Sequence, residues 1–239
     1  MPYVGTSQGR LVDPLGLDIA ESDPTILFKE CASSIVKKNR YNGHTNRPYT
    51  VGQHTLILLS IADHFGEAYA FDLDNLRMTI LLHDMHEAFT GDMPRPLKSL
   101  LPEYTAFEAK IAEKVKTCLK HEPNASALKF LSMVDSDICA TWEMPVFGVG
   151  FFKDQSVTDV TLRTGVQLML RALSYRDLID PNDMYAKASD AAVDELIEEF
   201  THISVLDWKE VYVELNRVYA ELTERFAQRY NKQDAPSNP

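Results

Sequence analysis

The chain has few cysteines, few basic residues and no long apolar run. Only three of its 239 residues are cysteine, and Cys31, Cys118 and Cys139 lie far apart. No pair has the spacing of a redox or zinc motif, so we expect no disulfide framework and a reducing cytoplasm. No segment is apolar for long enough to span a bilayer, and no basic N-terminus leads into an apolar run. Secretion and membrane insertion are therefore disfavoured.

Positive charge is scarce relative to negative charge. The 24 Lys and Arg residues are outnumbered by 35 Asp and Glu residues, so the formal net charge is -11. Because duplex nucleic acid is bound through clustered basic side chains, this composition argues against a duplex-binding surface. With 45% hydrophobic and 25% charged residues, the chain can bury a substantial core. We expect a globular protein with neither a duplex nor a membrane partner.

Helical periodicity dominates the sequence after a short extended or hairpin-like, β-like segment near residues 3–14. We predict an all-α helical bundle in which residues 1–180 form the core. Residues 181–230 are predicted to be a helical extension, packed on the core or on a partner subunit, and we expect a homo-oligomer. Residues 231–239 are polar and are predicted to be a disordered tail.

Three predicted helix boundaries determine where the candidate site residues lie. Thr50 and Gln53 have the form of a capping box, so His54 should end the first turn of a helix. A single helix should run from Asp72 or Asp74 to residues 90–91. A later helix, from about residue 126, should stop at Pro145.

The most informative segment is residues 81–92, where an apolar helical stretch carries His83, Asp84 and Glu87. On a helix that turns 100° per residue, these three side chains project within about one face, whereas His86 points away. An imidazole with carboxylates is a ligand set for Mn, Fe, Co, Zn or Mg. The segment therefore predicts one wall of a site for one divalent metal ion.

Two ligands are too few for a metal site, so others must come from elsewhere in the bundle. His54 is the natural second imidazole, and Asp135 or Asp137 is the natural closing carboxylate. A zinc-protease motif is disfavoured, because it requires His at both ends of the spacing from His83 to Glu87.

An ordered series of motifs carries a family resemblance. The series comprises residues 9–14, 40–45, 49–54 and 82–98, and Asp135 followed by Ala140-Thr141. With these motifs the chain resembles the HD-domain metal-dependent phosphohydrolases, and most of all their bacterial and prophage 5'-deoxynucleotidase branch.

The resemblance implies a role for each matching residue. It makes His54, His83, Asp84 and Asp135 the metal ligands, with Asp135 preferred over Asp137 because it keeps the family's spacing to Ala140-Thr141. The other implied roles are substrate phosphate binding for Arg40, proton transfer for Glu87, the sugar hydroxyl region for Asp92 and a second phosphate contact for Lys98.

The implied reaction is hydrolysis of small-molecule 2'-deoxynucleoside 5'-monophosphates by metal-activated water. Removal of triphosphate from a deoxynucleoside triphosphate such as dATP remains an alternative, with Arg47, Arg95 and Lys98 as candidate contacts for the longer anion. Cyclic-nucleotide phosphodiesterase activity and a non-catalytic nucleotide sensor are weaker alternatives. The chain departs from the family in its C-terminal addition and in Trp142, which stands where an acidic residue usually follows Ala-Thr.

Overall fold

A computed structural model describes residues 4–13, 19, 21–69, 71–150, 158–174 and 178–233. The predicted all-α architecture is confirmed, as is the extended N-terminal segment, which forms a two-stranded antiparallel sheet. Val4 in this sheet pairs with Val12. Within the described ranges, none of the helices combines the length and the apolar character needed to cross a membrane.

In the described residues, two short strands are followed by a series of helices. In chain order they are β1 (Val4–Gly5), β2 (Leu11–Val12), α1 (Pro24–Ile35), α2 (Val51–Phe65), α3 (Leu73–Leu82), α4 (Glu87–Thr90), α5 (Arg95–Lys98), α6 (Pro102–Cys118), α7 (Ala125–Ile138), α8 (Met144–Phe147), α9 (Asp159–Ser174), α10 (Pro181–Lys187), α11 (Asp190–Ile203) and α12 (Trp208–Gln233). The described residues also include two 3-10 turns, Arg40–Gly43 and Gly66–Ala68, and a π turn, Cys139–Glu143.

Helix α2 is the central helix of the bundle, and nearly all of its residues are buried. It packs against α1, α3, α7, α11 and α12. The predicted capping box at its start is confirmed: the Thr50 hydroxyl accepts from the Gln53 backbone N–H, and the Gln53 side chain accepts from the Thr50 N–H. The cap fixes where the helix begins and thereby sets His54 at its buried first turn.

Gly52 allows three helices to meet at the start of α2. A Cβ at this position would lie 2.9 Å from Val36 Cγ1, 3.0 Å from Val211 Cγ1 and 3.2 Å from the Val36 Cα. Alanine normally stabilises a helix relative to glycine by up to about 1 kcal/mol. Here the neighbouring backbone cannot yield, so overpacking outweighs propensity.

We therefore expect Gly52→Ala to lower the free energy of unfolding by about 1–3 kcal/mol, measured by urea denaturation. Gly165→Ala on α9 is the matched control, because its nearest contact would be the Thr141 side chain at 3.3 Å, with no backbone atom closer than 3.5 Å. A Gly52→Ala protein at least as stable as the wild type would contradict this account of the packing.

The prediction of a single helix over residues 72–90 is wrong, because turns interrupt the helix at His83–His86, the candidate ligand segment. Helix α3 ends at Leu82, His83 to His86 form turns, and α4 begins at Glu87. Backbone N–H groups here bond three residues back, as Glu87 does to the Asp84 carbonyl at 3.0 Å. With about three residues per turn, side chains three apart eclipse. Asp84 therefore lies in line with Glu87, and His83 in line with His86.

The predicted stop at Pro145 is also wrong. Proline fits the first turn of a helix, where its missing N–H leaves no bond unmade, and Pro145 lies in the first turn of α8. The chain reaches it from α7 through the π turn, which inserts one residue into the helical repeat.

The two C-terminal helices pack on the rest of the bundle. Val211, Leu215 and Leu222 of α12 are fully buried, and α11 packs against α2. Arg225 and Arg229 both pair with the buried Asp74 at the start of α3. The division at residue 180 and the homo-oligomer stay predictions, and residues 234–239 of the predicted tail lie outside the described part of the chain.

Candidate active site

Three of the predicted metal ligands converge. His54 from α2 and the adjacent His83 and Asp84 from the turn after α3 each offer a ligand atom, and these atoms lie within 4.8 Å of one another. The imidazole of His54 is fully buried, and the ring centroids of the two histidines are 5.5 Å apart.

The hydrogen bonds of the two histidines determine which nitrogen is free. His83 Nδ1 lies 2.6 Å from the Ile80 carbonyl oxygen, and His54 Nδ1 lies against the Glu143 carboxylate. Because both partners only accept, Nδ1 carries the hydrogen in each ring. In the neutral ring Nε2 then offers a lone pair, as a metal-ligating imidazole requires.

Both Nε2 atoms are buried without a hydrogen bond although a carboxylate is close. His83 Nε2 lies 3.0 Å from Asp84 Oδ2, and His54 Nε2 lies 3.1 Å from Asp135 Oδ1. Two acceptors facing each other are unfavourable unless a proton or a cation lies between them. These orphaned atoms therefore fit a divalent cation, and the mixed nitrogen and oxygen set suits a first-row metal or Mg²⁺.

Asp135, rather than Asp137, reaches this cluster. Its Oδ1 contacts His54, while its Oδ2 accepts from Arg95 Nη2 at 2.6 Å. Asp135 also lines the cavity described below, which Asp137 does not. Arg95 thereby orients the carboxylate from the solvent side.

Glu87 lies next to the cluster and is only 3% exposed. Its Oε2 is buried without a hydrogen-bond partner. Burial, together with the negative charges of Asp84 and Asp92, raises the pKa of Glu87 to about 9. A cation held by the neighbouring ligands would act in the opposite direction. The carboxyl group can therefore hold or accept a proton near neutral pH.

Arg40 is held at the same site by Glu143. Its Nε lies 3.3 Å from Glu143 Oε2, and its Nη1 lies 3.8 Å from Asp84 Oδ2. Tyr41 and Tyr49 donate their hydroxyls to the Glu143 carboxylate at 2.7 and 2.8 Å. Although burial opposes ionisation, Arg40 and the other donors keep the pKa of Glu143 well below its usual range. One buried carboxylate thus positions both Arg40 and His54.

Glu143 is the residue that the sequence analysis missed. The π turn adds one residue after Ala140-Thr141, so Trp142 enters the core and the next residue, Glu143, enters the site. The sequence offered one signal for Glu143. Trp142 stands where an acidic residue usually follows Ala-Thr, and a shift of one residue brings the acidic Glu143 to that place.

Asp92 and Lys98 line the same cavity of about 470 Å³ as Arg40, Asp84 and Glu87. Lys98 Nζ lies 2.8 Å from Glu108 Oε1. Tyr41, Cys139, Met144, Val149 and residues 93–96 form much of the remaining wall. The structure therefore brings every predicted site residue to one cluster and the adjoining cavity.

His86 is closer to the chemistry than the helical geometry predicts. Because the turn eclipses residues three apart, His86, Glu87 and Glu108 form a second group whose ligand atoms lie within 4.8 Å of one another. Its Nε2 is 3.8 Å from Glu108 Oε1. The ammonium group of Lys98 already pairs with this oxygen of Glu108.

Residues 35–143 match the family described as 5'-deoxynucleotidase YfbR-like. This segment of the chain is therefore similar to the YfbR-like family of the HD-domain superfamily. The match confirms the predicted resemblance and contains every predicted site residue as well as Glu143. The family is one of HD-domain phosphohydrolases, and the superfamily generally binds a divalent metal ion.

A curated relative is the uncharacterized protein YfdR of Escherichia coli (strain K12), which is 34% identical over 86 residues. The alignment covers 36% of this chain and 43% of the relative, so the chain spans less than half the length of the curated relative that it matches.

Proposed function

We propose that this chain is a metal-dependent phosphohydrolase that cleaves 2'-deoxynucleoside 5'-monophosphates to deoxynucleoside and phosphate. The observation that carries the proposal is the convergence of His54, His83 and Asp84 beside a cavity that Arg40 and Glu87 line. The match of this segment to the YfbR-like family supports the reaction class.

The residues that would hold the metal ion are His54, His83, Asp84 and Asp135. When bound, a divalent ion at these ligands polarises a phosphoryl oxygen and lowers the pKa of water.

The other residues bind the substrate and move protons. Arg40 presents a planar guanidinium to the cavity, where it offsets charge on the phosphoryl group. Glu87 can accept a proton at Oε2 as the water oxygen attacks phosphorus. The 5'-oxygen gains a proton as its bond to phosphorus breaks, and the same carboxyl group can return it.

The charge of the cavity favours the monophosphate over the triphosphate. Its lining includes three cationic side chains, Arg40, Arg95 and Lys98, against four carboxylates. Arg95 and Lys98 are already paired, and Arg47 lines a different cavity. One divalent ion therefore leaves only a small positive excess, which suits a phosphate dianion better than a triphosphate.

The proposal is tested by measuring metal content and phosphate release with dNMPs, NMPs and dNTPs. We expect orthophosphate from dNMPs, and loss of both metal and activity in His83→Ala. His44→Ala is the control, because His44 is exposed in the loop before α2. Release of triphosphate from dNTPs would instead select the triphosphohydrolase. Inactivity of metal-loaded protein towards every substrate, cyclic nucleotides included, would favour a non-catalytic sensor.

Asp92 is proposed to contact the sugar. It lines the cavity just after Gly91, and a carboxylate there can accept a hydrogen bond from the 3'-hydroxyl and crowd a 2'-hydroxyl. We expect Asp92→Asn to lower the ratio of kcat/KM for dNMP over NMP by about tenfold or more. Asp137→Asn, which alters a carboxylate outside the cavity, should leave the ratio unchanged. An unchanged ratio in Asp92→Asn would remove this residue from sugar selection.

A further inference from the structure

Residues 39–50 line two cavities. Arg40 and Tyr41 face the candidate active site, whereas Asn39, Arg47 and Thr50 line a second cavity of about 570 Å³. The other walls of this second cavity are the end of α1, the first turn of α2 and the corner between α11 and α12.

The second cavity is bordered by cations that lack acidic partners. Lys37 and Arg47 line it, and Lys209 lies beside it. In the described part of the chain none of the three forms an ion pair, although most arginines of this acidic protein do. Asp207 is the carboxylate in the lining, and its Oδ1 accepts the backbone N–H groups of Lys209 and Glu210. The lining itself therefore carries two cations against one carboxylate.

An exposed aromatic ring lies among these cations. The Trp208 side chain is 46% exposed, and Lys37 Nζ lies 4.7 Å from its ring centroid. Val36 and Val211 provide an apolar floor. Ser204 also lines the cavity, is 2% exposed and has a buried hydroxyl without a hydrogen-bond partner. An unmade hydrogen bond at a buried hydroxyl costs about 1–3 kcal/mol unless a ligand or water satisfies it.

We propose that the second cavity binds an anionic ligand that carries an aromatic ring, of the class of nucleoside 5'-phosphates. The base stacks on Trp208, and Lys37 and Arg47 bind the phosphate. Stacking on tryptophan and charge-assisted hydrogen bonds are the two interactions that such a molecule offers together.

The site is connected to Arg40 through the backbone. Asn39 forms a β-bridge with Thr50, and the Arg40 N–H donates to the Tyr49 carbonyl at 2.8 Å. Tyr41 and Asn42 have φ of 56° and 52°, so this loop holds a strained conformation. A ligand that contacts Asn39 and Arg47 stabilises the loop and, resting on the proposed function, lowers the KM for the substrate that Arg40 binds.

Binding is measured on the metal-free full-length chain by tryptophan fluorescence and calorimetry. The probes are adenosine 5'-monophosphate, adenosine and inorganic phosphate. Trp208 is the exposed one of the two tryptophans, so a ligand stacked on it should quench emission. We expect quenching by the monophosphate, with adenosine and phosphate each binding at least about tenfold more weakly. Adenosine binding as tightly as the monophosphate would overturn the anionic site.

Variants separate this cavity from the active site. The double variant Lys37→Ala, Arg47→Ala should weaken quenching by about tenfold or more, whereas the active-site variant Lys98→Ala and the exposed α1 control Lys29→Ala should leave it unchanged. Loss of quenching in Lys98→Ala alone, or no quenching at all, would overturn the proposal. If the tryptophan emission shifted with protein concentration in the absence of nucleotide, the second cavity would instead be assigned to contact with a second copy of the chain. Fluorescence quenching measures nucleotide binding without any hydrolysis. A protein that quenches as expected but hydrolyses no substrate would therefore reject the proposed function and leave the proposed ligand site standing.

Discussion

Glu87→Gln should lower kcat by about a thousandfold or more while leaving the metal content unchanged. Glutamine keeps the size of the side chain but cannot accept a proton, and general-base catalysis contributes about 10²–10⁴-fold. The proposed metal ligands His54, His83 and Asp84 remain, so the metal content should not change. The measurements are phosphate release at saturating dNMP and metal analysis of the same sample. The matched control is Glu103→Gln, at an exposed position in the first turn of α6.

The same substitution should stabilise the metal-free protein in a manner that depends on pH. Glu87 has a pKa near 9 when folded and an ordinary value, about 4.3, when unfolded. Between these values the folded state retains a proton that the unfolded state releases, so stability falls as pH rises. Glutamine does not titrate. We expect Glu87→Gln to gain about 2–4 kcal/mol over the wild type at pH 8 and little at pH 4, measured by denaturation in the presence of a chelator.

An equal difference at pH 4 and pH 8 would show that Glu87 ionises freely in the folded state. Unchanged phosphate release would show that another group takes the proton of the water. The combination expected here, more stable and less active, is typical of a residue that is kept for chemistry at a cost in stability.

The parts of the fold set by local chemistry could be predicted from the sequence. The Thr50 and Gln53 capping box fixed the start of α2 because cap hydrogen bonds involve neighbouring residues. The place of His54 in the first turn of α2 followed directly from this cap.

The parts that depend on long-range contacts could not be predicted in the same way. Periodicity indicated an unbroken helix through His83 and Asp84, because an apolar pattern does not record a change from four-residue to three-residue hydrogen bonds. Glu143 was missed for a related reason. Its partners Tyr41, Tyr49 and His54 lie about 90 to 100 residues away, and its place depends on the π turn.

Glu143→Gln should cause the largest loss of stability. Breaking a buried ion pair by removing one partner typically costs about 3–5 kcal/mol, and Glu143 is fully buried beneath Arg40. The pKa of Glu143 lies below its usual range in the folded state, so its contribution is present above the unfolded value of about 4.3 and is lost as pH falls. Urea denaturation should therefore show a difference from wild type that is largest at pH 7 and smaller at pH 3, where the unfolded state is already protonated.

Metal affinity distinguishes a role of Glu143 in positioning His54 from a role in stabilising the fold alone. Glu143 accepts from His54 Nδ1, and loss of such a partner of a metal-ligating histidine typically lowers metal affinity by about 10–100-fold. Calorimetric titration with Mn²⁺ should show this decrease in Glu143→Gln, while Glu143→Asp, which keeps the charge, should recover part of it. The exposed α6 variant Glu113→Gln is the control. If Glu143→Gln were less stable but bound Mn²⁺ as tightly as wild type, Glu143 would support the fold without tuning His54.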